Sequence, residues 1–413
     1  MPIDKCRVCG AAFFDGPLLR YEGMPAGAQA FPDADSLEGD KGVDLEVCQC
    51  SACGLVQLNG EPVSYYRDVI RSAAVSPEMK EFRERQFRGF VERFGLQGKK
   101  VIEIGCGRGE YLSIIHQCGV RAYGVEHLKS SVEQCTAAGL AVACGFVEGG
   151  DYRLDDAPFD AFFILNFLEH LPRPTATLAG IANLLAPEAV GLVEVPNFDM
   201  VLRTKLFAEF IADHLFYFTK ETLSTTLRLG GFEVLDCTEV WHDYMISAIV
   251  KKMGKGDRHL LCEAGHQPEA GRGPFRQKVP VPFSREERGP LDLSLFREQM
   301  TQLRAGIESY LRRFAAGRVA VWGASHQALA LVALLGLAKK IEYVVDSAPF
   351  KQGKFTPATH VPIVSPETLD TTPVDAVIVM AASYSDEVGR ILRQRFGGNL
   401  AVAILRDFGL EEV

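Results

Sequence analysis

Three groups of residues in this chain have the types and spacing to do chemistry. The first is a pair of Cys-x-x-Cys motifs, Cys6/Cys9 and Cys50/Cys53. Four thiolates can meet tetrahedrally around one Zn²⁺, and a four-sulfur shell leaves no open position for a substrate, so such an ion is structural. Cys48 stands two residues before Cys50 and offers a competing ligand. Neither motif sits at the strand-to-helix turn of a thioredoxin-like unit, which argues against redox chemistry. The second group is VIEIGCGRGEYL, residues 101–112. An apolar strand carries Glu103, and Gly105, Gly107 and Gly109 follow, so a ligand can approach the backbone closely. Glu126 closes the next strand in GVEHL, where a carboxylate can accept both hydroxyls of a ribose. The G-x-G-x-G spacing departs from the dinucleotide fingerprint G-x-G-x-x-G, which weighs against a nicotinamide-dependent dehydrogenase. Glu103 beside the turn suits a cationic ligand end. The third group is Asp213-His214. A neutral imidazole can remove a proton next to a ketone, and a neighbouring carboxylate can orient and tune it. Charge developing on the ketone oxygen needs a donor such as a phenol. Tyr217 lies three residues from His214, and Tyr65 and Tyr66 precede the glycine-rich region. His170, in LEHLPRP, follows an apolar strand and would stand at the ligand edge of a sheet.

The elements that position these groups can be read from periodicity. KKVIEIGCG, RAYGVEH, AVACGF, FDAFFILN and AVGLVEVPN read as strands, with helical stretches such as RPTATLAGIANLLAP between them. FDAFFILN is continuously apolar, as a buried parallel strand is. The alternation predicts an α/β fold, a doubly wound sheet with helices on both faces. GFEVLDCTEV and SAIVKK would close it as a strand pair. A helix is predicted over 77–94, with Phe82, Phe87, Phe90, Val91 and Phe94 on its buried face. Four units follow. Residues 1–60 form a small module with too little apolar content to stand without a staple. Residues 61–253 form the central domain. Residues 254–290, rich in Gly, Pro and charge, read as a linker or surface loop. Residues 291–413 form a second, smaller α/β domain, with Gly323 and Asp346 at the positions of a nucleotide-like crevice.

Composition narrows the function further. The 413 residues carry a net charge of −9 at pH 7, with no compensating basic block. That argues against a general binder of nucleic-acid phosphates. The longest apolar run, Ala328–Ala338, is shorter than the ~20 residues a spanning helix needs. The first residues lack the basic and apolar regions of a signal peptide, so a cytoplasmic location is expected. Eleven cysteines, an odd number, argue against a disulfide framework.

VIEIGCGRGEYL, GVEHL and FILNFLEHLPRP resemble the nucleoside-binding motifs of class I S-adenosylmethionine-dependent methyltransferases. The resemblance implies a Rossmann-like core. The 105–109 turn would pass under the amino-acid end of the cofactor, and Glu126 would hold the ribose. Gly145 and Phe146 would meet the adenine, and Asn166 the methionine moiety. The order of the three domains is wider evidence. With GRVAVWGASHQALAL, VVDSAPFKQGKFTPATHVPIVSP and EVPNFDMVLRTKLFAEFIADHLFYFT, it resembles the nucleotide-sugar C-methyltransferases of deoxysugar biosynthesis. That resemblance implies a zinc-stapled N-terminal module, an S-adenosylmethionine site, and a distal domain that helps hold a nucleotide-sugar. It also implies that His214 is the base and that Asp213 orients it. In that family the base stands in a Tyr-x-Glu-His sequence, whereas this chain reads Ile211-Ala212-Asp213-His214. The phenol is missing there, so O-methylation of a sugar or natural-product hydroxyl is the alternative reaction, and a non-catalytic scaffold the alternative class.

Overall fold

The computed structural model describes residues 2–68, 76–254, 289–406 and 409–413. Most of the linker expected over 254–290 lies outside them. The described residues build three sheets. β1 (Leu19–Met24), β2 (Val43–Gln49) and β3 (Val56–Leu58) are antiparallel. The central sheet takes β4 (Lys100–Ile104), β5 (Arg121–Glu126), β6 (Ala141–Cys144), β7 (Phe159–Leu165) and β8 (Leu185–Pro196). β9 (Phe216–Tyr217) leaves that domain and pairs with β3 as the fourth strand of the first sheet. β10 (Phe232–Val240) and β11 (Met245–Lys252) return as an antiparallel pair and complete a seven-stranded sheet of order β10-β11-β8-β7-β4-β5-β6. The reversal of strand order beside β4 opens a crevice at the carboxyl ends of the strands, where ligands bind in open α/β sheets.

The distal sheet has the order β14-β13-β12-β15-β16-β17. It is formed from β12 (Val319–Trp322), β13 (Val344–Val345), β14 (Ile363–Val364), β15 (Ala376–Val379), β16 (Ala401–Arg406) and β17 (Gly409–Glu412). All its pairs are parallel except β16–β17. The Rossmann-like core and second α/β domain expected from the sequence are therefore present.

Packing explains the sequence pattern. β7 lies between β4 and β8 with a face on each of two hydrophobic clusters, so nearly every residue of FDAFFIL is buried. The helix Pro77–Arg93 is started by Ser76, whose side chain accepts from Met79 N at 3.1 Å. Its inner face carries Phe87, Phe90 and Val91 as expected, but Arg83 rather than Phe82 is fully buried. The first module does not form a core alone. Its residues Leu19, Tyr21, Leu45 and Val56 share one cluster with Phe198, Phe210 and Tyr217 and with Leu329 and Val344 of the distal domain. Too few apolar side chains in the module are thus supplemented from both neighbours. Among the described residues, no helix is long and apolar enough to cross a membrane.

Candidate active site

Each Cys-x-x-Cys motif forms a tight turn closed by the glycine that follows it. Gly10 N donates to Cys6 O at 2.9 Å and Gly54 N to Cys50 O at 3.1 Å, and both glycines have φ +74°. A side chain there would be strained. The turns bring the Sγ atoms of Cys6, Cys9, Cys50 and Cys53 within 4.8 Å of one another. Val8 N points at Cys6 Sγ, and Ala52 N and Cys53 N at Cys50 Sγ, each at 3.4 Å. Gln57 Nε2 donates to Cys6 Sγ at 3.1 Å. Donors aimed at sulfur favour thiolates, and four such sulfurs could hold a metal ion. Cys48 stands apart from the cluster, its thiol directed at the Glu46 carbonyl at 3.9 Å.

The glycine turn follows β4. Gly105, Gly107 and Gly109 have φ of +73°, +57° and +83°. A Cβ on Gly105 would come within 2.7 Å of the Phe167 ring, and one on Gly109 within 2.6 Å of Leu140. At Gly107 the nearest atom would be 4.0 Å away, so the middle of the turn faces open space. Glu103 is buried on β4 just before the turn. Glu126, at the end of β5, accepts from Gly107 N at 2.9 Å and from Leu128 N at 2.8 Å, which fixes its carboxylate beside the turn. Gly145 N donates to Glu126 O at 2.9 Å. The neighbouring Phe146 ring packs edge-on against Tyr66, His127 and Phe167 at 5.7–6.1 Å between centroids. Asn166 follows β7 in a left-handed conformation, φ +51°, with its side chain exposed and its N–H donating to Glu194 O at 2.9 Å. All eight residues read from the sequence for a nucleoside ligand thus meet at one edge of the central sheet.

A cluster of imidazoles lies farther along that edge. His170, just past β7, is buried, with Nδ1 2.7 Å from Asp213 O. Its ring centroid is 4.8 Å from that of His214, which is 6.3 Å from that of His326. His326 begins the distal helix His326–Leu334, and Ser325 caps that helix by accepting from Ala328 N at 3.3 Å. Burial, reinforced by the two other imidazoles, holds His214 well below its ordinary range, so it is neutral near pH 7. Burial pushes His326 the same way, but the Glu209 carboxylate 3.5 Å away prevails and raises it.

The structure revises several expected roles. Asp213 does not grip His214. Its carboxylate accepts from Tyr65 OH at 2.6 Å and from Ala28 N at 2.7 Å, while its carbonyl orients His170. Tyr217 is not available as an oxygen-stabilising donor. Its buried hydroxyl accepts from Ile211 N at 3.0 Å and donates to Ile211 O at 3.3 Å, because β9 turns the ring into the shared core and a buried hydroxyl needs partners. Tyr65 is the phenol that reaches this region. The Gly27–Gln29 loop of the first module holds it, with Gln29 N donating to its oxygen at 3.2 Å. A Cβ on Gly27 would meet that oxygen at 2.3 Å, so only glycine admits the ring. His326, unremarkable in the sequence, enters the cleft because the distal helix is docked with its first turn facing it. Asp346 is occupied by its own domain: it accepts from Ala324 N and Ala348 N at 2.9 Å and pairs with Lys351 at 3.1 Å. At Gly323, a Cβ would strike Met380 O at 2.6 Å, so the glycine permits close backbone packing.

Comparison with known proteins decides the class. Residues 79–236 match a family described as a methyltransferase domain, and residues 284–404 match the C-methyltransferase C-terminal domain. Together these matches make the chain a methyltransferase dependent on S-adenosylmethionine. This methyltransferase is 26% identical over 408 residues to the C-methyltransferase NovU of Streptomyces niveus, spanning 94% of this chain and 91% of that enzyme. A ubiquinone biosynthesis O-methyltransferase of Methylococcus capsulatus is 29% identical over 126 residues, 29% of this chain and 52% of that enzyme. A solved S-adenosylmethionine-dependent methyltransferase from Clostridium acetobutylicum aligns with 44% of this chain and 94% of its own at 11% identity and TM-score 0.37. The cradle fits the family's cofactor on its own geometry: it is open at Gly107, closed at Gly105 and Gly109, and flanked by an anchored carboxylate.

Proposed function

We propose that this methyltransferase C-methylates a nucleotide-linked keto-deoxysugar. The observation that carries the reading is a neutral imidazole, His214, set between His170 of the central domain and His326 of the distal domain at the cofactor edge of the sheet. The likeness to a C-methyltransferase over nearly the whole chain supports it. S-adenosylmethionine supplies an electrophilic methyl group. Gly105, Gly107 and Gly109 give its amino-acid end close access to backbone, and Glu103 and Asn166 flank that end. Glu126 takes the ribose and Phe146 lies against the adenine. His214 removes the proton from the carbon next to the sugar ketone, which makes that carbon nucleophilic. Tyr65 gives its one hydrogen to Asp213, so on this side it positions the Asp213 segment that holds His170. Zn²⁺ held by Cys6, Cys9, Cys50 and Cys53 staples the module that positions Tyr65. The distal domain contributes His326 and one wall of the cleft.

One observation favours O-methylation as a second reading: position 211 is Ile, so no phenol stands three residues before the base. Product NMR after incubation with a keto-sugar nucleotide and methyl-¹³C cofactor discriminates the two. A methyl carbon at the shift of a C–CH₃ group, lost in His214→Asn while cofactor affinity is kept, supports the proposal. A methoxy shift overturns it.

A further inference from the structure

The His170 environment holds more acceptors than donors. Its Nδ1 lies 2.7 Å from the Asp213 carbonyl, which can only accept, so Nδ1 carries the hydrogen and Nε2 is a bare lone pair. That lone pair faces Glu169 Oε1 at 3.9 Å. Glu169 is 1% exposed, and its Oε2 has no hydrogen-bond partner among the described residues. One donor atom each from Glu169, His170 and His214 lies within 4.8 Å of the others. Two imidazole nitrogens and a carboxylate oxygen converging in a buried place repel unless a proton or a metal cation stands between them.

We infer that Glu169, His170 and His214 form a site for a divalent transition-metal ion, distinct from the cysteine cluster. Bonds of about 2.0–2.2 Å to nitrogen and oxygen in tetrahedral geometry place the ligand atoms of one ion about 3.3–3.6 Å apart, so the three side chains need to close by no more than about 1.5 Å. His170 already has the orientation of a metal-bound histidine, one nitrogen donating to a backbone carbonyl and the other turned to the site. The donor set suits zinc, cobalt or nickel better than magnesium or calcium, which prefer an all-oxygen shell. On the reading that His214 is the proton acceptor, occupancy silences the enzyme: an imidazole nitrogen that ligates a metal has no lone pair left for a proton.

The test is a titration of the full-length protein with Co²⁺ after the cysteine cluster has been filled with zinc. Calorimetry and the visible d–d absorption of cobalt read binding, and methyl transfer is measured on the same samples. The expected result is one Co²⁺ per chain beyond the zinc, with turnover falling in step with occupancy. Glu169→Gln and His170→Gln, each checked for folding by circular dichroism, should weaken binding at least about tenfold. No cobalt site in the wild-type protein, or wild-type affinity in both folded variants, overturns the metal site. Cobalt that binds at one equivalent while turnover holds or rises keeps the site and overturns the base role of His214.

Discussion

Replacing Arg83 by Met tests whether the central domain depends on a charge pair sealed beneath the cofactor edge. Arg83 and Glu194 are both 0% exposed and are hydrogen-bonded directly. The second guanidinium contact is Gln86 Oε1 at 2.7 Å, and Gln86 in turn donates to the other Glu194 oxygen. The Tyr111 ring lies 4.7 Å from the guanidinium carbon. Arg83→Met leaves Glu194 buried with one neutral donor. Removing one partner of such a pair costs about 3–5 kcal/mol, whereas replacing both by apolar residues is often close to neutral. For a domain of this size the single variant should lose roughly 6–20 °C in Tm. The double variant Arg83→Met with Glu194→Met should lose less than either single. Glu194 O also accepts from Asn166 N at 2.9 Å, so the single variant should bind S-adenosylmethionine more weakly as the end of β7 shifts. Urea unfolding of the wild type, both singles and the double gives the cycle, and calorimetry gives the affinities. A single variant that costs under about 1 kcal/mol, or a double as damaging as the two singles combined, refutes the view of a tightly coupled buried pair.

Further predictions follow from the same geometry. Tyr65→Phe removes a hydrogen bond to a carboxylate, should cost about 1.5–3 kcal/mol in urea unfolding, and should lower kcat/KM as the Asp213 segment that holds His170 loosens. Tyr217→Phe should change kcat by less than about threefold and instead cost about 1 kcal/mol in urea unfolding, because its hydroxyl serves only the Ile211 backbone. Gly109→Ala should destabilise the fold by about 1–3 kcal/mol through the clash with Leu140. Gly107→Ala should cost about 1 kcal/mol through its left-handed backbone and, beyond that, weaken cofactor binding, since its Cβ would point into the open cradle; calorimetry and thermal melting separate the two. A strong chelator should remove one zinc per chain, read by mass spectrometry, and expose the first module to proteolysis before the central domain.

The elements that carry periodicity were legible from the residues alone: strand and helix alternation, the glycine turn, Glu126 at the end of the next strand, and the two cysteine pairs. What was not legible depends on contacts between distant segments. Asp213-His214 reads as a carboxylate orienting its neighbour, yet the pair is parted because Tyr65 and the 27–29 loop reach the carboxylate first. Tyr217 sits at a suggestive distance in sequence, but β9 carries it into the first sheet. Arg83 interrupts an aromatic stripe, and no spacing in the sequence ties it to Glu194, its buried partner. Glu169 and His326 show no spacing signal, because His214 and Glu209, which complete their surroundings, are far away in the chain.

The most direct measurement of the central claim is hydrogen exchange in the absence of methyl transfer. A keto-sugar nucleotide is incubated in D₂O with the enzyme and S-adenosylhomocysteine in place of the methyl donor, and the carbon next to the ketone is followed by NMR. The account predicts deuterium entering that position with the wild-type enzyme and not with His214→Asn. Methylated product formed by an enzyme that never exchanges that proton would contradict it.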